Sequence, residues 1–144
     1  MAQILIDLTP LRKALAQLKE ALAFWAERPT DDALKPHLRS AVIQSFEYTY
    51  ELSVRAARRV LIERAESADL VTDLSFSDLL RRALDAGFPM ELDVWRHWRD
   101  MRNGTSHAYD EERAQALVVQ ASEFAENAER LLIHLEKAIA GGAD

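Results

Sequence analysis

The run His37-Leu-Arg-Ser-Ala-Val-Ile-Gln-Ser-Phe-Glu-Tyr-Thr-Tyr-Glu-Leu-Ser-Val-Arg-Ala-Ala-Arg-Arg-Val-Leu-Ile-Glu-Arg-Ala-Glu66 contains neither glycine nor proline. Leu38, Val42, Phe46, Thr49, Ser53, Ala56, Val60 and Leu61 recur along it at helical intervals, which predicts a long helix with one buried face. Thr30-Asp-Asp opens this helical region, with Pro36 tolerable only close to its start. A second stripe of Gln44, Tyr48, Glu51 and Arg55 steps round at spacings of 4, 3 and 4. Its polar members are free to face another functional helix.

The same period governs both flanks. Upstream, Thr9 is the expected N-cap with Pro10 at the first helical position, and Leu11, Leu15, Leu18, Leu22 and Trp25 form an apolar stripe ending near Arg28-Pro29. Downstream, Ser67 to Leu74 reads as a loop. Ser75-Phe-Ser-Asp78 resembles a capping box and starts a short helix, Leu79 to Ala86, closed by Gly87. A further helix spans about Met90 to Arg102, and Asp110 can cap the last one. Ala114, Leu117, Ala121, Phe124, Ala128, Leu131, Leu135 and Ile139 line that last helix, and Gly141-Gly-Ala-Asp144 reads as a frayed tail. No strand-period segment competes. The expected fold is all-α, an antiparallel bundle of four to five helices forming one domain over residues 1–144.

Composition agrees with that class. Hydrophobic residues at 49% and charged residues at 29% suit a globular chain long enough for one core. Zero cysteines exclude disulfides and thiolate chemistry. The N-terminus lacks the basic and apolar regions of a signal peptide, and no apolar run approaches a membrane span, so a cytoplasmic location is expected. The formal net charge of -6 opposes bulk electrostatic coating of nucleic acid. Yet 14 arginines stand against 4 lysines, clustered at Arg55, Arg58 and Arg59, at Arg81 and Arg82, and at Arg96, Arg99 and Arg102. They fit solvated helix faces and forked phosphate contacts equally well.

Chemistry concentrates in Arg102-Asn-Gly-Thr-Ser-His107-Ala-Tyr109, which follows the helix carrying Trp95 and Trp98. The tryptophans, three apart, share a face that anchors the helix in the core. Arg99 and Arg102, also three apart, place two guanidiniums on an adjacent face. Asn103-Gly104 can reverse or kink the chain and bring His107 and Tyr109 back near Arg102, at the start of the last helix. In that geometry Arg102 holds a phosphodiester while His107 takes a proton from a ribose 2′-hydroxyl. In the competing arrangement Arg102 pairs with an acid such as Glu47 or Glu51, and His107 and Tyr109 satisfy buried hydrogen bonds. The residue types alone leave both open. Trp25, Trp95, Trp98 and Phe88 are expected in the core rather than on a base-stacking platform. His37, His97, His107 and His134 lack a zinc pair's close spacing, and no phosphate-binding or dinucleotide loop appears, so neither metal nor cofactor is expected.

The order of these motifs resembles the HEPN superfamily, whose signature is Arg-x4–6-His before the final helix. Its branch of nucleotidyltransferase substrate-binding proteins is the nearer likeness. The resemblance rests on Ile43-Gln-Ser-Phe-Glu47-Tyr-Thr-Tyr-Glu51-Leu, on Ser75 to Gly87, and on Trp95 through Asp100-Met-Arg-Asn-Gly-Thr-Ser-His-Ala-Tyr-Asp110. It implies a helical bundle that forms a homodimer, with the two motifs near the interface. It implies a minimal nucleotidyltransferase partner in a toxin–antitoxin-type pair, and metal-independent RNA cleavage by Arg102 and His107. Tyr109 maps to the tyrosine adenylylated by the partner, and an added AMP there would block the site. Arg99, Asn103, Thr105, Ser106, Glu47 and Glu51 are the supporting candidates. The resemblance equally implies a non-catalytic subunit that presents substrate or nucleotide to the nucleotidyltransferase. A structural dimer with a relic motif is the third reading.

Overall fold

The computed structural model describes residues 6–107 and 110–141. Helix α1 spans Thr9–Glu27, α2 Lys35–Arg64, α3 Asp69–Thr72, α4 Phe76–Asp85 and α5 Leu92–Asn103; a 3-10 turn, Gly104–His107, leads to α6, Glu111–Gly141. Five of these helices have ten or more residues, and no strand occurs among the described residues. The all-helical expectation holds, with two differences. The predicted loop before Ser75 contains the one-turn α3, which Arg58 secures by donating from Nη1 to the carbonyls of Val71, Thr72 and Leu74. Gly141, expected in a frayed tail, is the last residue of α6.

Local chemistry explains the boundaries. Thr9 lies inside α1, whose N-cap position is Leu8 rather than the expected Thr9, and the Thr9 N–H donates to Asp7 Oδ1 at 3.0 Å. Bonds from Thr9 hold the Asp7 carboxyl below the usual carboxylate range. Ser75 Oγ accepts the Asp78 N–H at 3.2 Å, one half of the capping box. The other half is absent because the Asp78 carboxylate turns to Arg81 instead. At the far end of α4, Phe88 N–H reaches Ala83 O and Gly87 N–H reaches Leu84 O, with Gly87 at φ 87°. That is the paired C-terminal closure for which a residue without a Cβ is suited.

Helix α1 runs antiparallel to α6, joined by Arg12–Glu136 and Lys19–Glu129 ion pairs. Helices α2 and α6 run parallel: Arg39 pairs with Glu111 where both begin, and Arg64 donates to Ala138 O where both end. The shorter α5 returns antiparallel to α6, with His97 bonded to Gln120. One aromatic cluster sets its depth. Trp95 and Trp98 stand edge-on to Phe124 at 6.0 and 5.5 Å, and Phe46 of α2 meets the same ring at 4.8 Å. All four are essentially fully buried. These tryptophans and Phe88 are therefore core, as expected. Trp25 is only half-buried, beneath the Lys35 ammonium 3.9 Å from its ring centroid.

Candidate functional site

The site begins where α5 ends. Gly104 has φ -82° and ψ -6°, right-handed values open to any residue. The chain therefore needs no left-handed residue at Gly104. It tightens into the 3-10 turn through His107, which precedes α6 rather than starting it. Thr105 explains the tightening: its Oγ1 donates to Arg102 O at 2.8 Å. The same hydroxyl accepts from Arg102 Nη1 at 3.1 Å, tying side chain and turn together. Thr105 is correspondingly buried.

Two carboxylates of α2 complete the surroundings of Arg102. Its Nε and Nη2 both donate to Glu51 Oε1, at 3.1 and 2.6 Å. Its Nη1 lies 3.2 Å from Glu47 Oε2. Glu47 and Glu51 are one helical turn apart, so both reach the same guanidinium. The arginine side chain is 30% exposed, Glu47 30% and Glu51 46%, which leaves Glu51 on the outer side. The pairing that competed with phosphate binding in the sequence is thus present, with both acids rather than one. Together the three groups carry a net charge of about -1 when ionised.

The remaining candidates divide. Arg99 stacks its guanidinium 4.9 Å from the Phe76 ring centroid, with Nε 3.8 Å from Asp100. It does not join the Glu47–Glu51 cluster. Asn103 and Ser106 are exposed and make no side-chain hydrogen bond among the described residues. The His107 side chain and Tyr109 lie outside the described residues, so their expected approach to Arg102 does too. Tyr50 is a site residue missed in the sequence. Burial pushes its phenol up to about 12, against the opposing pull of Arg99 and Arg102. Only its neighbours Phe46 and Glu51, in one apolar-acidic turn of α2, hinted at that position. Among the described residues no three His, Asp or Glu side chains group closely enough to hold a metal ion.

Residues 6–137 match the family described as "Nucleotidyltransferase substrate binding protein like", and the chain belongs to that family. A protein of Haemophilus influenzae named "Probable ribonuclease HepT" is 41% identical over 87 residues. That match covers 60% of each chain, so this chain aligns with rather less than two thirds of the relative's length. A solved H. influenzae structure, reported as the fold of a substrate binding domain of a nucleotidyltransferase, superposes with a TM-score of 0.83. It is 32% identical, and the superposition covers 90% of this chain and 99% of the other. The helical bundle and its HEPN-like family are thereby established. Among the described residues no helix is long and apolar enough to cross a membrane.

Proposed function

We propose that this chain is the HEPN subunit of a two-component toxin–antitoxin-type pair with a minimal nucleotidyltransferase, and that Arg102 and His107 cleave RNA without a metal. The observation that carries the reading is the anchoring of Arg102. Thr105, Glu47 and Glu51 hold its guanidinium at the mouth of a turn that carries His107. Among the described residues one Nη2 hydrogen is left for a phosphate oxygen, and Arg99 lies a turn away as a second cation. The ribose 2′-oxygen attacks phosphorus, the P–O5′ bond breaks, and the products are a 2′,3′-cyclic phosphate and a 5′-hydroxyl. His107 carries one of the two protons moved. The name of the H. influenzae relative supports the same activity.

The partner switches the site off by adenylylating Tyr109, two residues beyond His107, which adds a bulky anion there. The subunit forms a cytoplasmic homodimer, for which the exposed Tyr48 beside Glu47 and Glu51 supplies apolar surface. A second reading, a non-catalytic subunit presenting substrate or nucleotide, is favoured by the two acids already neutralising Arg102. Purified protein in EDTA decides between them. Cleavage of an RNA but not its all-DNA analogue, abolished by His107→Ala, supports the ribonuclease. An inert protein that still binds the nucleotidyltransferase supports the presenting subunit. Intact mass after incubation with the partner, ATP and Mg²⁺ tests Tyr109; an adduct persisting in Tyr109→Phe overturns that role.

A further inference from the structure

Cleavage by internal attack moves two protons on opposite sides of phosphorus. One leaves the 2′-hydroxyl, and the other reaches the departing 5′-oxygen, nearly in line with the attacking atom. A single imidazole cannot occupy both sides in one step. Under the ribonuclease reading His107 fills one place, and the second group must stand beside whatever phosphate Arg102 holds. The described surroundings of Arg102 offer four side chains. Thr105 is committed, since its hydroxyl donates to Arg102 O. Tyr50 is buried and its phenol titrates far above neutrality. Glu47 is the more enclosed acid, and its Oε2 faces Nη1 on the side shared with Thr105. Glu51 differs. Its Oε1 accepts both Nε and Nη2, its Oε2 has no hydrogen-bond partner among the described residues, and it is the more exposed of the two.

We infer that Glu51 is the general base of this site, and that Glu47 is a positioning residue that holds Arg102 from the inner side. The inference rests on the ribonuclease reading above. Glu51 Oε2 takes the proton of the 2′-hydroxyl as the 2′-oxygen bonds to phosphorus. The P–O5′ pair leaves with the oxygen, and the His107 imidazolium supplies its proton. The carboxylic acid and neutral imidazole then return to their starting forms by exchange with water. The hydrogen bonds from Arg102 fix the Glu51 carboxylate against the phosphate, so base and phosphate ligand are held as one unit.

Two substrates separate base from acid: an RNA oligonucleotide and uridine 3′-(4-nitrophenyl phosphate), whose leaving group departs without a proton. Glu51→Gln is expected to lower kcat about 10²–10⁴-fold on both substrates with little change in KM. His107→Ala is expected to lose activity on RNA and to recover most of it on the aryl ester. Glu47→Gln should act mainly through KM. Formate added to Glu51→Ala should restore part of the aryl-ester rate, and this serves as the second test should the glutamine variant fold poorly. The inference is overturned if Glu51→Gln cleaves RNA as fast as, or faster than, the wild type. It is equally overturned if that variant recovers on the aryl ester, which would make Glu51 the acid, or if Glu47→Gln and Glu51→Gln behave alike. A wild-type protein that cleaves neither substrate removes the ribonuclease reading and this inference with it.

Discussion

Arg102 shows how one residue can carry both structure and chemistry. Its guanidinium bridges Glu47 and Glu51, two like charges that otherwise face each other one turn apart on α2. Replacing it with lysine preserves charge but loses the planar fork that spans two carboxylates and a threonine. Both Arg102→Lys and Arg102→Ala are therefore expected to lose RNA cleavage by at least about 10²-fold, the scale of one lost transition-state donor. Their unfolding free energy should fall by only about 0–1 kcal/mol, because the cluster is partly solvated. Urea denaturation beside a cleavage assay checks the pair of outcomes. A different residue sets acid sensitivity. Burial, then the cations Arg64 and Lys137, lowers the pKa of His134, whose ring lies 4.8 Å from Phe88. The folded state therefore favours neutral imidazole, and its stabilisation is present above the ordinary histidine value of about 6.5. Stability is expected to decline as pH falls below that value, and less steeply in His134→Gln, as measured by melting temperature between about pH 7.5 and 5.

At the scale of elements, α4 has well-defined ends and offers separable tests. Ser75→Ala removes a side-chain cap and is expected to cost about 1 kcal/mol by chemical denaturation. Gly87→Ala forces a Cβ into φ 87°, where no neighbouring atom stands within 4 Å. Its cost, about 1 kcal/mol or somewhat more, is therefore backbone strain rather than collision. Both signals were legible in the sequence because capping is local: the donor and acceptor lie three to five residues apart. The turn after α5 was less legible. Asn103-Gly104 reads as a point where the chain can reverse or kink, and Thr105 and Arg102 hold a right-handed 3-10 turn there in which glycine's freedom goes unused. A hydrogen bond between a hydroxyl and a side chain three residues back is one of several options open to such a segment. Only the packing of the turn against α6, and of Arg102 against the α2 acids, selects it.

In the whole molecule, the Phe46–Trp95–Trp98–Phe124 cluster decides where the site can exist. Trp98→Ala is expected to cost about 3–5 kcal/mol and to abolish any Arg102-dependent activity together with stability. Circular dichroism melting beside the cleavage assay tests that coupling. Charge acts at the same scale. With a formal net charge of -6 and Arg102 flanked by two acids, RNA is gripped locally rather than over a broad basic face. The binding constant should therefore fall with salt by a log–log slope of only about -0.7 to -1.4, corresponding to about one or two single-strand phosphates. Fluorescence anisotropy from about 50 to 200 mM salt measures it, and a much steeper slope would point to a larger basic track.

The sequence by itself determined the helices, their apolar faces and the concentration of reactive groups between Arg102 and Tyr109. These follow from periodicity and from residue chemistry acting over one or two turns. It narrowed the acids to Glu47 and Glu51 without choosing between them. Tertiary structure made the choice, and the answer was both. Arg102 meets Glu51 across 51 residues of chain, a contact set up by two tryptophans that dock α5 on Phe124 of α6, the ring that Phe46 of α2 also meets. Helical spacing places side chains on a face, but docking depth and axial register decide which faces meet. That register also left one oxygen of Glu51 without a hydrogen-bond partner among the described residues, a placement no spacing rule contains.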